Sequence, residues 1–365
     1  MTSSKSLTSA YIHIPFCKSK CHYCNFVSFA GKEACAEAYF AALKQEISFD
    51  LKELKTLYIG GGTPSIIPEI LYEKLLLELK FSDSAEVTIE INPGAVSPEY
   101  LQALRQIGFN RLSIGAQNFD NGMLKTLNRQ HTGKDSAIAV KNALNAGFEN
   151  ISIDLIYGLP GQTLSSWEKT LTQATKLNIK HISTYGLKIE EDTKFYRNLP
   201  ENLPDEDITS QMYLKTIEIL EEKGFNHYEI SNFAKPSFES RHNLVYWNNE
   251  EYYGFGLAAH GYVDGVRYAN STNFEEYIEN PLQKFEEKKL TPKEILEEAI
   301  FLGLRLRKGL NIPKFKQVYA INLLERYGDI IKKYTAQDLM EFDGETLKLT
   351  VQGVLLSNFI LADFL

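Results

Sequence analysis

The sequence predicts an α/β fold, in which a partial (β/α)6 barrel is followed by a C-terminal α+β extension. The first observation is that six short apolar runs of strand length recur along the first two-thirds of the chain. The second is that segments with helical spacing separate these runs, which is typical of a parallel sheet with right-handed crossovers. The third is that polar or glycine-rich residues follow the strands, at the edge where α/β barrels build their sites.

The predicted strands and helices alternate along the chain. The six strands are Tyr11–Pro15, Thr56–Ile59, Glu86–Ile91, Arg111–Ile114, Ile151–Ile156 and His181–Leu187. The clearest helices between them are Glu33–Phe49, Glu69–Leu79, Pro98–Ile107, Asp135–Ala146 and Ser165–Leu177. Local signals mark helix ends: Ser97 precedes Pro98 as an N-cap, and Gly108 and Gly147 follow helices as C-terminal caps.

Composition changes along the chain and predicts three units. From about residue 231 the sequence becomes rich in aromatic residues and glycine, and Glu276–Lys289 is charged and helix-like. Pro292–Leu306 predicts a strong helix, and Thr350–Phe364 predicts the last one. The predicted units are residues 1–230, the barrel; residues 231–285, an aromatic-rich extension; and residues 286–365, a C-terminal helical module resembling a winged helix.

Composition and charge exclude several classes of protein. The chain has 365 residues, is 44% hydrophobic and 24% charged, and so has the composition of a globular protein. Met1–Ala10 is polar, and no run approaches the roughly 20 apolar residues that span a bilayer. The net charge of −8 argues against nucleic-acid binding. We therefore expect a cytoplasmic protein.

Three of the four cysteines fall within eight residues, as Cys17, Cys21 and Cys24 with the spacing C-x3-C-x2-C. Three thiolates at this spacing can hold three irons of a cubane iron–sulfur cluster and leave the fourth iron open to an outside ligand. Another metal is a weaker alternative, because structural zinc sites take four ligands, usually in paired C-x2-C units. Incidental thiols are weaker still, and Cys35, outside the motif, fits a small buried side chain.

Polar and glycine-rich groups follow the predicted strands. Gly60-Gly61-Gly62-Thr63-Pro64 leaves the backbone uncovered for close approach of a ligand, although a tight turn also needs glycine. Glu90 and Asp154 lie in otherwise apolar strands, where an unpaired carboxylate is costly, so each predicts binding of a hydroxyl pair or a cation. Gln117 and Arg129 can bind further polar atoms, and Arg129 alone fits a solvated surface charge equally well.

A second constellation lies far from the cysteines, in the run Arg241-His242-Asn243-Leu244-Val245-Tyr246-Trp247. A histidine close to Tyr246 and Trp247 offers an axial metal ligand beside flat apolar surfaces, the combination that haem needs. A structural histidine in an aromatic cluster explains the same residues and is the commoner case. From the residues alone, both interpretations of His242 stay open.

Together these runs resemble the radical S-adenosylmethionine (SAM) superfamily. Tyr11-Ile12-His13-Ile14-Pro15-Phe16-Cys17, followed by the cysteine spacing, is similar to the start of its barrel. The closer resemblance is to the oxygen-independent coproporphyrinogen III oxidase family and its HemW-type branch. The supporting runs are Gly60–Pro64, Glu90–Pro93, Arg111–Phe119, Asn128-Arg129-Gln130 and Asp154–Thr163, and the similarity covers nearly the whole chain.

The resemblance implies a radical SAM barrel and a role for each matching residue. Cys17, Cys21 and Cys24 are implied ligands of a [4Fe–4S] cluster whose open iron binds the amino and carboxylate groups of SAM. The remaining implied SAM contacts are Gly61, Gly62, Thr63, Glu90, Gln117, Arg129 and Asp154, with Tyr11 and Tyr23 near cluster and cofactor. In the oxidases some of these positions serve a second SAM molecule, so the number of SAM molecules here stays open.

Departures from the oxidase pattern favour the HemW-type branch. That pattern resembles C-x3-C-x2-C-x-C, but Phe26 stands at the place of its last cysteine, and only ten residues precede Tyr11. Conversely, His242-Asn243-x-x-Tyr246-Trp247 matches the HNxxYW signature of HemW-type haem chaperones. The resemblance therefore implies a haem chaperone with His242 as haem ligand, with haem-accepting respiratory membrane proteins as partners and a homodimer as an option. The alternatives are coproporphyrinogen decarboxylation or another radical SAM reaction.

Overall fold

A computed structural model describes residues 7–47 and 51–365. Its strands, in chain order, are β1 Ser9–Ile14, β2 Phe16–Cys17, β3 Phe29–Ala30, β4 Leu54–Gly61, β5 Phe81–Ile91, β6 Arg111–Gln117, β7 Asn150–Tyr157, β8 His181–Gly186, β9 Asn226–Glu229, β10 Asn232–Ala234, β11 Tyr253–Phe255, β12 His260–Val263, β13 Val266–Asn270, β14 Lys284–Lys289, β15 Leu310–Asn311, β16 Met340–Phe342 and β17 Thr346–Leu349. Nine of them form the main sheet, in the order β11-β1-β4-β5-β6-β7-β8-β10-β9.

The six predicted strands are neighbours in this sheet. They correspond to β1, β4, β5, β6, β7 and β8, and every adjacent pair among them is parallel. Strands β10 and β9 continue the sheet antiparallel beyond β8, while β11 pairs parallel with β1 at the other edge. The predicted α/β class, an open partial barrel with a parallel sheet, is therefore confirmed.

Helices connect the parallel strands, as a parallel sheet requires. They are α1 Ala36–Ile47, α2 Glu69–Leu76, α3 Pro98–Ile107, α4 Asn121–Thr126, α5 Gly133–Asn145 and α6 Leu164–Thr175. The helices that follow β8 are α7 Lys194–Arg197, α8 Glu206–Glu222, α9 Arg241–Trp247, α10 Phe274–Glu279, α11 Pro292–Gly303, α12 Ile312–Tyr319, α13 Leu323–Thr335, α14 Val351–Leu355 and α15 Ser357–Ala362. The predicted caps act as expected: Ser97 accepts from the N–H of Tyr100, and Gly108 takes a left-handed conformation. Within the described ranges, no helix is long and apolar enough to cross a membrane.

The strands alternate between an apolar outer face and a polar inner face. Ile12, Ile59 and Ile153 are fully buried under the helices. The inner face instead carries Tyr58, Glu90, Ser113, Asp154 and Ser183, and the strand pairing places Glu90 opposite Ser113 and Asp154 opposite Ser183. Because side chains alternate with a period of two, this polar row faces the interior of the barrel.

The region after the barrel departs from the sequence prediction at two elements. Glu276–Lys289 is not one helix, since α10 ends at Glu279 and Lys284–Lys289 is strand β14, paired with β13. Pro281 explains the break, because proline disfavours helical geometry in the residue before it. The predicted last helix is likewise split into α14 and α15.

The division of the chain near residues 230 and 285 stays a prediction. Strands β10 and β11 follow residue 230 in sequence and still belong to the main sheet. The final strands β15, β17 and β16 form a separate three-stranded sheet in that order. Residues 48–49 of the first predicted helix and residues 1–6 of the polar N-terminal segment lie outside the described residues.

Candidate functional site

A cavity of about 440 Å³ opens at the carboxyl ends of the parallel strands. This is the edge at which the sequence predicts the functional residues, and most of them meet there. The predicted residues that line the cavity are Cys17, Cys21, Tyr23, Cys24, Gly61, Gly62, Thr63, Glu90, Gln117, Arg129 and Asp154. Tyr11 and His242 are the two predicted site residues that do not line it.

The cysteine loop forms one wall of this cavity. Cys17 ends β2, and the loop after it is fixed by hydrogen bonds from the N–H of His22 to the carbonyl of Leu127 (3.2 Å) and from Asn128 Nδ2 to the carbonyl of Lys20 (2.9 Å). All three thiols are free, and burial raises the pKa of the Cys24 thiol.

In residues 7–47 and 51–365, no three His, Cys, Asp or Glu side chains form a group that could hold a metal ion. The three thiols share the cavity wall instead. The cluster ligands therefore stay a prediction, based on thiol chemistry and on the cavity beside them.

A chain of hydrogen bonds joins two of the thiols across the cavity wall. Thr63 Oγ1 donates to Cys17 Sγ at 3.6 Å, and Asn92 Nδ2 donates to Thr63 Oγ1 at 3.2 Å. Arg129 then donates through Nη2 to Asn92 Oδ1 and through Nη1 to Cys21 Sγ at 3.6 Å. Arg129 is thus not a solvated surface charge. Its guanidinium lies beside the sulfurs, where it can bind a carboxylate.

The glycine run brings bare backbone to the cavity. Gly61 has a φ of 115°, and a Cβ there would lie 2.6 Å from the ring of His13. A Cβ on Gly62 would lie 2.6 Å from the carbonyl oxygen of Phe16 and 3.0 Å from Cys17 Sγ. Side chains are therefore excluded at both positions, and polar backbone groups stay open to a ligand beside the cysteines.

Two buried carboxylates form the floor of the cavity. Glu90 accepts from the hydroxyl of Tyr58 (2.9 Å) and from the N–H of Gly61 (3.1 Å). Burial, with the charge of Asp154 adding to it, raises the pKa of Glu90 to about 7. Asp154 accepts from Ser113 Oγ at 2.8 Å, and burial raises its pKa too. These acids can bind hydroxyl groups or attract a cation.

Orphaned polar atoms indicate that the cavity fits a polar ligand. Gln117 Oε1 and Arg129 Nε are buried without a hydrogen-bond partner, although buried polar atoms are normally paired. Gln117 also holds a positive φ of 55°, an uncommon conformation for a residue other than glycine. Three thiols, an arginine, open glycine backbone and two acids together match the donors that a cluster and an amino-acid-like nucleoside cofactor need.

Sequence reasoning missed three residues of this site: Tyr58, Ser113 and Asn92. Tyr58 and Ser113 share the inner face with Glu90, so the two-residue alternation of their strands could have identified them. Asn92 immediately follows that strand. Tyr11 reaches the site indirectly, because its ring stacks on Tyr58 with centroids 6.3 Å apart.

His242 lies beneath the cavity, at the opposite end of the barrel strands. It is 1% exposed, and both ring nitrogens have partners: Nδ1 pairs with Thr56 Oγ1 (2.9 Å) and Nε2 with the hydroxyl of Tyr246 (2.8 Å). Burial, helped by the charge of Arg111, lowers the pKa of His242 to about 3, so the ring is neutral. Its ring stacks on Tyr58 at 5.5 Å.

Helix α9, which carries His242, is attached to the barrel by a buried acid. Glu86, which lies in β5 four residues before Glu90, accepts from the backbone N–H groups of Arg241 (3.2 Å) and His242 (3.1 Å). This carboxylate satisfies two N–H groups that the start of a helix leaves free. The HNxxYW segment therefore closes the barrel from below.

Comparison with known proteins agrees with this geometry. A family model for the radical SAM superfamily matches residues 11–174, and one for the HemN C-terminal domain matches residues 290–356. The solved coproporphyrinogen III oxidase (HemN) from Escherichia coli, described as a radical SAM enzyme, superimposes with a TM-score of 0.87 over 98% of this chain and 90% of its own. Its identity to this chain is 23%, so this likeness shows the fold alone.

Curated relatives cover the full length of the chain. The protein from Lactococcus lactis subsp. lactis (strain IL1403) named heme chaperone HemW is 39% identical over 98% of this chain and 97% of its own length. The one from Bacillus subtilis (strain 168), with the same name, is 38% identical over 98% of this chain and 99% of its own length. The chain therefore belongs to the HemW family of heme chaperones, within the radical SAM superfamily.

Proposed function

We propose that this protein binds haem and delivers it to respiratory haem proteins at the membrane, and that it holds a SAM-ligated [4Fe–4S] cluster. The observation that carries the proposal is the similarity, over nearly the whole chain, to proteins named heme chaperone HemW. The HNxxYW segment and the thiol-lined cavity are the features of this chain that fit the two ligands.

The proposed site residues fall into two groups, those that bind the cluster and those that bind SAM. Cys17, Cys21 and Cys24 are the proposed cluster ligands, and Arg129 is placed to attract the SAM carboxylate. The proposed contacts to the rest of SAM are Gly61, Gly62, Thr63, Glu90, Gln117 and Asp154. Tyr23 is proposed to lie near the cluster and the cofactor, and Tyr11, which does not line the cavity, is proposed to support the cofactor site through its stacking on Tyr58. When bound, a cluster with an open iron supplies a redox centre and a coordination site for the amino and carboxylate groups of SAM.

His242 is the proposed haem ligand, and the structure defines what ligation requires. Iron can bind Nε2 only after Tyr246 releases that nitrogen and the buried ring becomes accessible. The neutral ring, with its lowered pKa, is the form that binds iron. Haem ligation by His242 therefore needs an opening of α9 away from the barrel.

Haem titration of the anaerobically reconstituted protein tests the proposal. We expect saturable binding by the unaltered protein and by His260→Ala, which changes an exposed histidine, and weaker binding by His242→Ala. Weak, non-saturable binding by the unaltered protein contradicts the haem chaperone. Equal saturable binding by His242→Ala leaves the chaperone in place and contradicts the ligand.

The location, the oligomeric state and the absence of nucleic-acid binding are further parts of the proposal. We propose a cytoplasmic protein that reaches the membrane through its haem acceptors, does not bind nucleic acid and forms a homodimer. Sedimentation of the haem-free and haem-loaded protein measures the oligomeric state, and co-purification with detergent-solubilised respiratory complexes identifies the acceptor. A haem-loaded protein that stays monomeric contradicts the homodimer.

A further inference from the structure

We infer that Tyr58 and His242 are positioning residues for the cofactor cavity, because together they fix the carboxylate of Glu90. The inference rests on the proposed function, since SAM is the ligand whose binding reports that geometry. It assigns a second role to the histidine of the HNxxYW segment, distinct from haem ligation.

Among the ring pairs of the described residues, Tyr58 is the only ring that both contacts His242 and lines the cavity. Its ring stacks on His242 with centroids 5.5 Å apart and planes 28° from parallel. It also stacks on Tyr11, whose hydroxyl pairs with His13 Nδ1 at 3.0 Å. Two anchored rings therefore pack against the phenol and restrict where its hydroxyl can point.

Hydrogen bonds hold His242 in place in addition to the stacking on Tyr58. Both ring nitrogens are hydrogen-bonded, and its backbone N–H is fixed by the buried carboxylate of Glu86. A residue held by two ring bonds and one backbone bond cannot shift without breaking buried hydrogen bonds, each of which is costly to leave unmade. Tyr58 therefore rests on a rigid support.

The hydroxyl of Tyr58 is hydrogen-bonded directly to a carboxylate that lines the cavity. It donates to Glu90 Oε1 at 2.9 Å, while Glu90 Oε2 accepts from Gly61 in the glycine run at 3.1 Å. Gly60 leaves room for this arrangement, because a Cβ there would lie 2.9 Å from the Glu90 carboxyl group. The carboxylate is thus held between a side-chain donor and a backbone donor of the proposed SAM cradle.

A change in the pH at which Glu90 ionises distinguishes a positioning role from a purely structural one. The charged and titratable groups that face Glu90 are Tyr11 of β1, Tyr58 of β4, Arg111 of β6, Asp154 of β7, Tyr185 of β8 and Tyr246 of α9. The hydrogen bond from Tyr58 favours the ionised carboxylate and lowers its pKa. Loss of that bond therefore shifts ionisation of Glu90 to higher pH.

The test is the SAM affinity of Tyr58→Phe, His242→Phe and His242→Ala across neutral pH, after anaerobic reconstitution with equal cluster content. We expect Tyr58→Phe to bind SAM about tenfold more weakly at neutral pH, because a displaced or protonated Glu90 loses one charged hydrogen bond to the ligand. The pH dependence of its SAM affinity should shift to higher pH. His242→Ala should show the same changes, whereas His242→Phe, which keeps a flat ring under Tyr58, should bind SAM more tightly than His242→Ala.

Controls separate this inference from the proposed function. Tyr196→Phe changes an exposed tyrosine and should behave as the unaltered protein does. Circular dichroism checks the fold, and if His242→Ala fails to fold, Tyr58→Phe still decides, because it removes one oxygen atom. Unchanged affinity and pH profile in Tyr58→Phe overturn the inference while SAM binding stands. An unaltered protein that holds its cluster and binds no SAM overturns both.

Discussion

The guanidinium of Arg129 lies with Nη1 3.6 Å from Cys21 Sγ, while Nη2 donates to the carbonyl oxygen of Gly115 at 2.7 Å. A fixed positive charge is thereby held beside a proposed cluster ligand. The same group contacts Asn92, which leads through Thr63 to the Cys17 thiol. One side chain therefore connects the cluster loop with the cavity wall.

Arg129→Met should weaken SAM binding by about ten- to a hundredfold, because a charge-assisted hydrogen bond contributes roughly 1.5–3 kcal/mol. It should also lower the reduction potential of the cluster, since a nearby cation favours the more negative reduced state. Equilibrium dialysis with SAM and a redox titration measure the two effects. Arg105→Met, at an exposed arginine, is the matched control, and identical values in both variants would disprove the role.

The four cysteines allow an internal comparison. Alanine at Cys17, Cys21 or Cys24 should abolish stable cluster binding, because each leaves two thiolates for a cubane that needs at least three. Cys35→Ser should keep the full cluster, since Cys35 lies in the 3-10 turn before α1 and not in the cavity. Iron and sulfide content after anaerobic reconstitution gives the answer. Loss of the cluster in Cys35→Ser would show that the ligand set is wrong.

The sequence predicted the barrel and its rim better than the surroundings of His242. Six strands, the thiol loop and the acids at Glu90 and Asp154 follow from local patterns, because alternation and strand order place them at one edge. The burial of His242 does not, since it depends on Glu86 and Thr56, distant in sequence and contacted only after folding. A local motif cannot specify which partners its ring will meet.

Burial raises the pKa of Glu229 to about 7, and this predicts a pH-dependent stability. The folded state keeps the proton between pH 4.5 and 7 while the unfolded state has lost it, so this group's contribution falls as pH rises through that window. A shift of this size corresponds to about 3 kcal/mol. Glu229→Gln should therefore gain stability relative to the unaltered protein when the pH is raised from 5 to 8.

Chemical unfolding of the haem-free protein at several pH values measures this difference. The comparison between variants is needed because buried His242, whose pKa is lowered, changes stability in the opposite direction below pH 6.5. Glu73→Gln, at an exposed position, supplies the control curve. Parallel curves for the Glu229 and Glu73 variants would contradict the prediction.

Glu86 should matter for stability more than a typical surface acid. Glu86→Ala leaves the first N–H groups of α9 without their buried acceptor and should cost about 1–3 kcal/mol of unfolding free energy. The loosened α9 should also expose His242 and make haem binding faster. Denaturant melts and stopped-flow haem binding test the two effects, and a variant with unchanged stability and rate would rule out the anchoring role.

Phe26 lines the cavity with 58% of its surface exposed, at the place where the oxidase pattern has a further cysteine. An apolar ring there cannot supply the thiol that the oxidase pattern implies, so we expect no conversion of coproporphyrinogen III to protoporphyrinogen under anaerobic conditions with SAM and a reductant. The Escherichia coli oxidase serves as positive control. Robust turnover would make the oxidase the better assignment, because the binding and delivery of haem include no decarboxylation of a haem precursor. Release of 5′-deoxyadenosine without porphyrin turnover would instead favour another radical SAM reaction.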